Sequence, residues 1–366
     1  MNQVSVTAVE DVVHAMREYA RVTAHGALTK RPLVSARDGA IRLDTSELAG
    51  ITEYDPAEFT FTALAGTPLH VVESLLAAHG QHMPFDPPLV DAGATVAGTI
   101  AAGINGSCRL RGGGLRDFII GIRFVDGTGA VVRGGGRVVK NAAGFDLPRL
   151  MVGSMGQLGI IVEATFKVFP LPEARATLRI ECQSIDDAIH CMSDLARAPF
   201  DIEALDLEPP DILMLRLGGD SASLARHAQR VGLSTARPFD TLRTDEDAAY
   251  WREQREFAWL QPDHWLIRVP LQLRRLAALE KLLAGEAAMR RYAVAGNVAW
   301  FAWPVRSALT SLDLGNFVGQ IVRGPALEAG SPVVGTAART AGAFAERVSN
   351  ALDPSRRLRT LDMAGS

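Results

Sequence analysis

Basic side chains do not outnumber acidic ones: 38 Lys and Arg stand against 41 Asp and Glu, for a formal net charge of −3. A balance of that kind gives no general pull toward nucleic acid or an anionic membrane surface. Cysteine is scarce. Cys108, Cys182 and Cys191 are widely spaced and form no CxxC pair, which argues against an iron–sulfur cluster of the chain's own and suits a reducing compartment. No apolar run reaches bilayer length, so no integral membrane segment is expected. The opening MNQVSVTAVEDV lacks a basic start followed by an apolar stretch, so no secretory signal is expected either. Of the eight histidines, His79 and His82 stand three apart, but no carboxylate or cysteine pattern completes a metal set around them. Neither GxxxxGK[ST] nor GxSxG occurs, and no GxGxxG is followed by an acid about 20 residues on; these absences set aside P-loop, simple hydrolase and Rossmann readings.

What the chain does have is glycine, concentrated from Asp91 to Gly121, where it stands at 93, 98, 103, 106, 112, 113 and 114. Thr95, Thr99, Asn105 and Ser107 place short polar side chains between these glycines. No acidic residue falls between Asp91 and Asp117, while Arg109, Arg111 and Arg116 crowd the second half. Backbone without Cβ can approach a ligand closely, and successive amides with a positive edge form a cradle for a pyrophosphate. The sequence HGALTK, residues 25–30, follows a short apolar run (Val22 to Ala24) and could supply a second set of phosphate-facing amides.

At 366 residues with 48% hydrophobic and 22% charged side chains, the chain is long enough for two or more packed domains. Thr7 with Glu10 reads as a capping box for a first helix, and Thr67-Pro68 as the start of a second that stops at Gly80. Ile41–Leu43, Ile51–Tyr54 and the alternating segment from Phe59 read as strands; Ile119–Asp126 and Ala130–Arg133 read as a hairpin across Gly-Thr-Gly. Asp146 caps a short helix, Gly153, Gly156 and Gly159 form a second glycine run, and residues 160–168 alternate as a strand. Phe169-Pro-Leu-Pro ends that pattern, which puts a domain boundary near 171.

Taken together, HGALTK, GATVAGTIAAGINGSCRLRGGGLRDFIIG and KNAAGFDLPRLMVGSMGQLGIIVEATFKV resemble the FAD-binding domain of the vanillyl-alcohol oxidase (PCMH-type) flavoproteins. Among these they look most like the small FAD-binding subunits of bacterial glycolate oxidases, with KNAAGFD as the most specific pointer. The resemblance implies an α+β fold: a PCMH-type two-subdomain FAD-binding domain over 1–171, a smaller mixed α/β cap over 172–330, and a segment 331–366 returning to the first domain. It implies FAD pyrophosphate contacts from the backbone of Gly26, Ala27, Leu28 and Thr29, and phosphate and flavin contacts from Gly93, Ala94, Thr95, Gly98, Thr99, Asn105 and Ser107. Pro87 and Pro88 would shape the loop near the ring system, and Ile161 would pack near the adenine end. The implied partners are a larger flavoprotein catalytic subunit and an iron–sulfur subunit, in a cytoplasmic complex that reaches the inner membrane only through such partners. Two departures stand out. Gly26-Ala-Leu-Thr29 replaces the usual Gly-Gly-Gly-Thr, and a leucine at 28 resists positive φ. Ser355-Arg-Arg-Leu replaces the family's closing Asn-Pro-Gly segment.

The second half offers little chemistry. Strands are expected near Ala176–Cys182, Ile212–Leu217, Leu266–Val269 and Val294–Trp303, with helices from Ser184, Ala222 and Leu273. His264, beside Pro262-Asp263, is the best candidate base, and no catalytic residue is assigned. The run 249–256 reads as a solvated helix face, Cys108 as a small buried filler, and the five tryptophans as core or as a subunit interface. The chain therefore reads as the electron-carrying FAD-binding subunit of a 2-hydroxy-acid oxidoreductase. A self-sufficient lactate-type dehydrogenase and a flavin-free scaffold remain as alternatives.

Overall fold

The computed structural model describes residues 3–34, 39–136, 145–285, 289–325, 327, 333–335 and 343–358. Most of the KNAAGFD motif (140–146) lies outside the described residues, which leave out 137–144. Two sheets are built from residues before 168. Gln3–Ser5, Ile41–Asp44 and Val22–His25 form a parallel three-stranded sheet, with Ile41–Asp44 in the middle. Ile51–Asp55, Thr60–Leu64, Ile160–Lys167, Ile119–Val125 and Val131–Gly135 form an antiparallel five-stranded sheet in that order. Ile160, Ile161 and Val162 are all buried, because this strand has a core on each face.

From Ala174 onward the strands belong to one nine-stranded sheet. Its order begins Phe239–Thr241, Ala174–Glu181, Ile212–Gly219, Ile202–Glu208, and every described pairing in it is antiparallel. Leu205, Leu215, Ile267 and Phe301 fill its core against the helices Ile185–Arg197 and Leu276–Leu283. The largest core crosses the junction: Phe61, Phe85, Ile100, Phe124 and Phe166 share it with Phe257, Leu266 and Trp300. Burial on that scale fixes the nine-stranded sheet over the first unit.

Local starts and stops differ in instructive ways from the sequence pattern. The first helix, Val9–Glu18, begins at Ala8, and Asp11 rather than Glu10 accepts the amides of Thr7 and Ala8, both at 2.9 Å. The second helix starts one residue late, at Leu69, because Thr67 Oγ1 is drawn instead to the Leu64 and Gly50 carbonyls, at 2.8 and 3.0 Å. Asp146 caps Leu147–Met151 and Ser184 caps Ile185–Arg197 through their side chains, as their positions suggested.

The run 249–256 is not a solvated face. It is the second half of the helix Thr244–Glu256, where Trp251 is buried and Arg255 Nη1 donates to Glu73 Oε1 of the first unit at 2.7 Å. Trp251 overrides the surrounding charge because burying an indole gains more than solvating its neighbours. Its Nε1–H finds Thr177 Oγ1 at 2.7 Å.

Candidate functional site: two cavities along one glycine-rich path

The strand Val22–His25 delivers the chain into the turn Gly26–Lys30, and the helix Val96–Ala102 comes to meet it. A Cβ on Gly26 would stand 2.6 Å from Thr95 Oγ1, so the two segments approach as closely as backbone and side chain allow. Thr95 cannot easily turn away, since that oxygen accepts the Gly98 amide at 3.3 Å as the helix cap. Between them lies a cavity of about 100 Å³ walled by Gly26, Ala27, Leu28, Thr29, Thr95 and Gly98, with Ala101, Met155 and Gly156 behind. The second glycine run thus packs on the helix: Gly153 and Met155 donate to the carbonyls of Ile100 and Ala101, at 2.9 and 3.0 Å.

Among the described residues, no backbone N–H from Gly26 to Lys30 has a hydrogen-bond acceptor in the chain. Consecutive free amides around a concave turn attract an anion. Leu28 adopts φ +55°, so the left-handed conformation that glycine would take is kept by a leucine. That costs roughly 1–2 kcal/mol. Lys30 closes the cavity and is buried, and loss of hydration pushes its pKa down to about 8. It was not singled out in the sequence, where a lysine in a turn reads as solvated.

Residues 95–107 carry the path onward to a second cavity. Asn105, Ser107 and Pro88 form its near wall; Asp206, Trp251, Arg255, Trp259, Arg291 and Trp300 form its far wall. Asn105 Oδ1 accepts the Leu115 amide at 2.7 Å, and Ser107 Oγ donates to Asp206 Oδ2 at 2.5 Å. The Val294 amide holds the other oxygen of Asp206 at 3.1 Å. Burial raises the Asp206 carboxyl to about 7, against these hydrogen bonds and Arg291, which favour the charged form. Asp206 and the tryptophan wall escaped the sequence reading; a Trp inside a charged helical run was the available signal.

The remaining expected contacts lie off both walls. Pro87 is buried in the turn before the glycine stretch, and Gly93 turns the chain with φ +87°. Ala94 and Ile161 are core residues, and Ile161 stands opposite Phe124 in the five-stranded sheet. Thr99 is buried on the same short helix, and its hydroxyl has no partner among the described residues. His264 is away from the second cavity, its Nδ1 2.7 Å from Asp263 Oδ1. It faces instead a groove shared with Ala27, Leu28 and Thr29.

A larger opening of about 800 Å³ lies beyond Asp86 and Arg255, which line both it and the second cavity. Cys108 is half-buried on its wall, where burial and the Asp86 charge raise its thiol, so it is a lining residue rather than a filler. His82 lines the same space, with burial and the Arg175 charge lowering it to about 4. Among the described residues no cluster of His, Cys, Asp and Glu could hold a metal ion.

The family described as an FAD binding domain matches residues 4–135. Glycolate oxidase subunit GlcE of Escherichia coli is 36% identical over 234 residues, covering 62% of this chain and 63% of that one. Glycolate oxidase subunit GlcD of Bacillus subtilis is 34% identical over 181 residues, covering 49% and 38%. Mitochondrial D-lactate dehydrogenase [cytochrome] 1 of Saccharomyces cerevisiae is 31% identical over 176 residues, covering 48% and 30%. This chain therefore spans under two thirds of each of these relatives. Alkyldihydroxyacetonephosphate synthase, solved in two crystal forms, superimposes with TM-scores of 0.68 and 0.71 over 97% of this chain and 75% of that one. At 14% and 13% identity that likeness is one of fold alone. The turn suits a phosphate-bearing cofactor such as FAD, because residues whose amides have no acceptor among the described residues and a buried lysine line one cavity.

Proposed function

We propose that the chain is the FAD-binding subunit of a glycolate oxidase-type complex, carrying electrons taken from a 2-hydroxy acid. The observation that carries this reading is the meeting of Gly26–Lys30 with Thr95 and Gly98 around a cavity whose amides have no acceptor. Similarity to the E. coli GlcE subunit over 62% of the chain supports the glycolate oxidase assignment. Gly26, Ala27, Leu28 and Thr29 would hold the diphosphate through backbone amides, and Thr95 with Gly98 would close over it. Asn105, Ser107 and the tryptophan wall would border the ring. Gly93, Ala94, Thr99, Pro87 and Ile161 would support these loops from behind. Bound flavin supplies two-electron oxidation and one-electron transfer; the protein supplies position and exclusion of water.

The fold divides functionally, on this reading, into the FAD-binding unit to about residue 171, the cap over 172–330 and the returning segment thereafter. A larger flavoprotein subunit and an iron–sulfur subunit are the expected partners. No helix among the described residues is long and apolar enough to cross a membrane, so membrane proximity would come through those partners.

The test is direct. The purified chain mixed with FAD should develop a flavin spectrum perturbed from that of free FAD and retain it through gel filtration. Co-expression with the two partner subunits should give a complex that reduces a dye when glycolate is added, while the single chain does not. A chain that leaves FAD free in solution sinks the proposal. A second reading, a self-sufficient hydroxy-acid dehydrogenase, draws on Asp206 in the ring-side cavity and on the arginine-lined opening beside it. Glycolate- or lactate-dependent bleaching of flavin in the isolated chain would favour it.

A further inference from the structure

Several half-buried arginines elsewhere in this protein have carboxylate partners. Arg216 has Asp247 at 2.6 Å, Arg255 has Glu73 at 2.7 Å, and Arg290 has Glu280 at 2.8 Å. Lys30 is different. It is 6% exposed, and among the described residues no hydrogen bond or ion pair reaches its ammonium. Glu256 is near enough to act on it through space. The Glu256 oxygens, however, already accept the amides of Asp91 and Ala92 at 3.0 and 3.2 Å.

A cation withdrawn from water and left without a counter-charge destabilises the fold that holds it. Methionine or leucine would fill the same volume without that penalty. The ammonium makes sense where the working state of the protein brings an anion to it. Lys30 lines the same small cavity as the acceptor-free amides of Gly26–Thr29, so both deficits open on one space. Taking the FAD reading above as given, we propose that Lys30 is the cation that pairs with the diphosphate of the bound dinucleotide. Free amides orient the two phosphates, and the buried Lys30 supplies the charge that offsets theirs. The class of ligand it recognises is a nucleoside diphosphate, whether free or as half of a dinucleotide. The ligand-free chain is held in a less stable state that the ligand relieves. The depressed basicity of Lys30 agrees with this, since an arriving anion would restore the charged form.

The experiment compares the full-length chain with Lys30→Met and Lys30→Arg. Calorimetric titration measures FAD and ADP binding, and a thermal melt is run on each ligand-free protein. Lys30→Met should weaken FAD and ADP by the same factor, about 10- to 100-fold, yet melt at a higher temperature than the parent without ligand. Lys30→Arg should recover part of the affinity. An unchanged FAD affinity in Lys30→Met overturns the proposal. So does a ligand-free Lys30→Met that melts lower, since that marks a structural role. A parent chain that binds ADP but not FAD would sink the flavin reading while leaving Lys30 as the diphosphate cation. A parent that binds FAD as tightly as Lys30→Met sinks Lys30 alone.

Discussion

The two cavities along residues 95–107 handle polar groups in opposite ways. At the turn, amides and an ammonium are left without partners, and backbone strain is tolerated at Leu28. On the cap side most polar groups are satisfied by remote ones. Asp206 holds Ser107 and Val294; Asp247 holds Thr177 and Arg216; Glu208 holds Tyr250 and Arg291 at 2.7 and 2.6 Å. One region leaves a buried charge without a partner, while the other pairs its buried carboxylates within the chain, although Gln254 Oε1, Arg255 Nε and Trp259 Nε1 on its wall have no hydrogen-bond partner among the described residues. Substitutions at the turn should therefore cost ligand more than fold, and substitutions under the cap should cost fold first.

The sharpest break is expected at Asp247. Asp247→Ala leaves the Arg216 guanidinium buried without its carboxylate and should lower unfolding free energy by about 3–5 kcal/mol, read by urea titration. A loss below about 1 kcal/mol would show that the Asp247–Arg216 pair does not hold the cap together.

Asp206 tests the same contrast through pH. Its folded pKa is raised from 3.8 to about 7, so the folded state favours the protonated acid. Stability from that preference is present at low pH and declines as pH rises from about 4 to about 7, by up to roughly 4 kcal/mol in total. Melting temperatures of the parent should fall across that window, and Asp206→Asn should flatten the slope. A parent chain equally stable at both ends would refute the assignment.

Gly26→Val addresses the turn. The new side chain meets Thr95 Oγ1, forces it off the Gly98 amide and occupies the cavity. FAD affinity should drop at least 100-fold, about 2.7 kcal/mol, while loss of the cap costs the fold only about 1 kcal/mol. A large loss of stability with FAD affinity intact would reverse the comparison. The smallest effect is expected for Leu28→Gly, which relieves the left-handed strain but frees the unfolded chain. Net stability should change by less than about 1 kcal/mol and FAD affinity should hold. A marked loss of affinity would mean that the Leu28 side chain itself contacts the cofactor.

The glycine-rich path was readable because glycine is selected for backbone reasons that act locally. Glycine content marked the stretch holding Thr95 and Gly98, the family resemblance named them and Gly26 as contacts, and the three meet around one cavity. The strand Ile202–Glu208 and the docking role of Thr244–Glu256 were not readable. Their acids and arginines look solvated until partners far along the chain are known: Ser107 lies 99 positions from Asp206, and Glu73 lies 182 from Arg255. Local pattern carries the cost of burying a charge but not the distant group that offsets it. Lys30 fails for the opposite reason, since what completes it is absent from the chain. The left-handed Leu28 shows that replacing a glycine need not abolish the conformation that glycine served.

The returning C-terminal stretch has a consequence for anyone cutting the protein into pieces. Leu358 sits among Val6, Val12, Met16, Leu43 and Val162, and the carbonyl of Arg357 takes the amide of Val22 at 2.9 Å. The first unit is thus a discontinuous object, sewn shut by residues encoded some two hundred positions after its five-stranded sheet ends. A fragment stopped at the proline-rich crossover would expose that apolar layer along the parallel strands leading to the turn, so a workable minimal flavin module would need the tail grafted back.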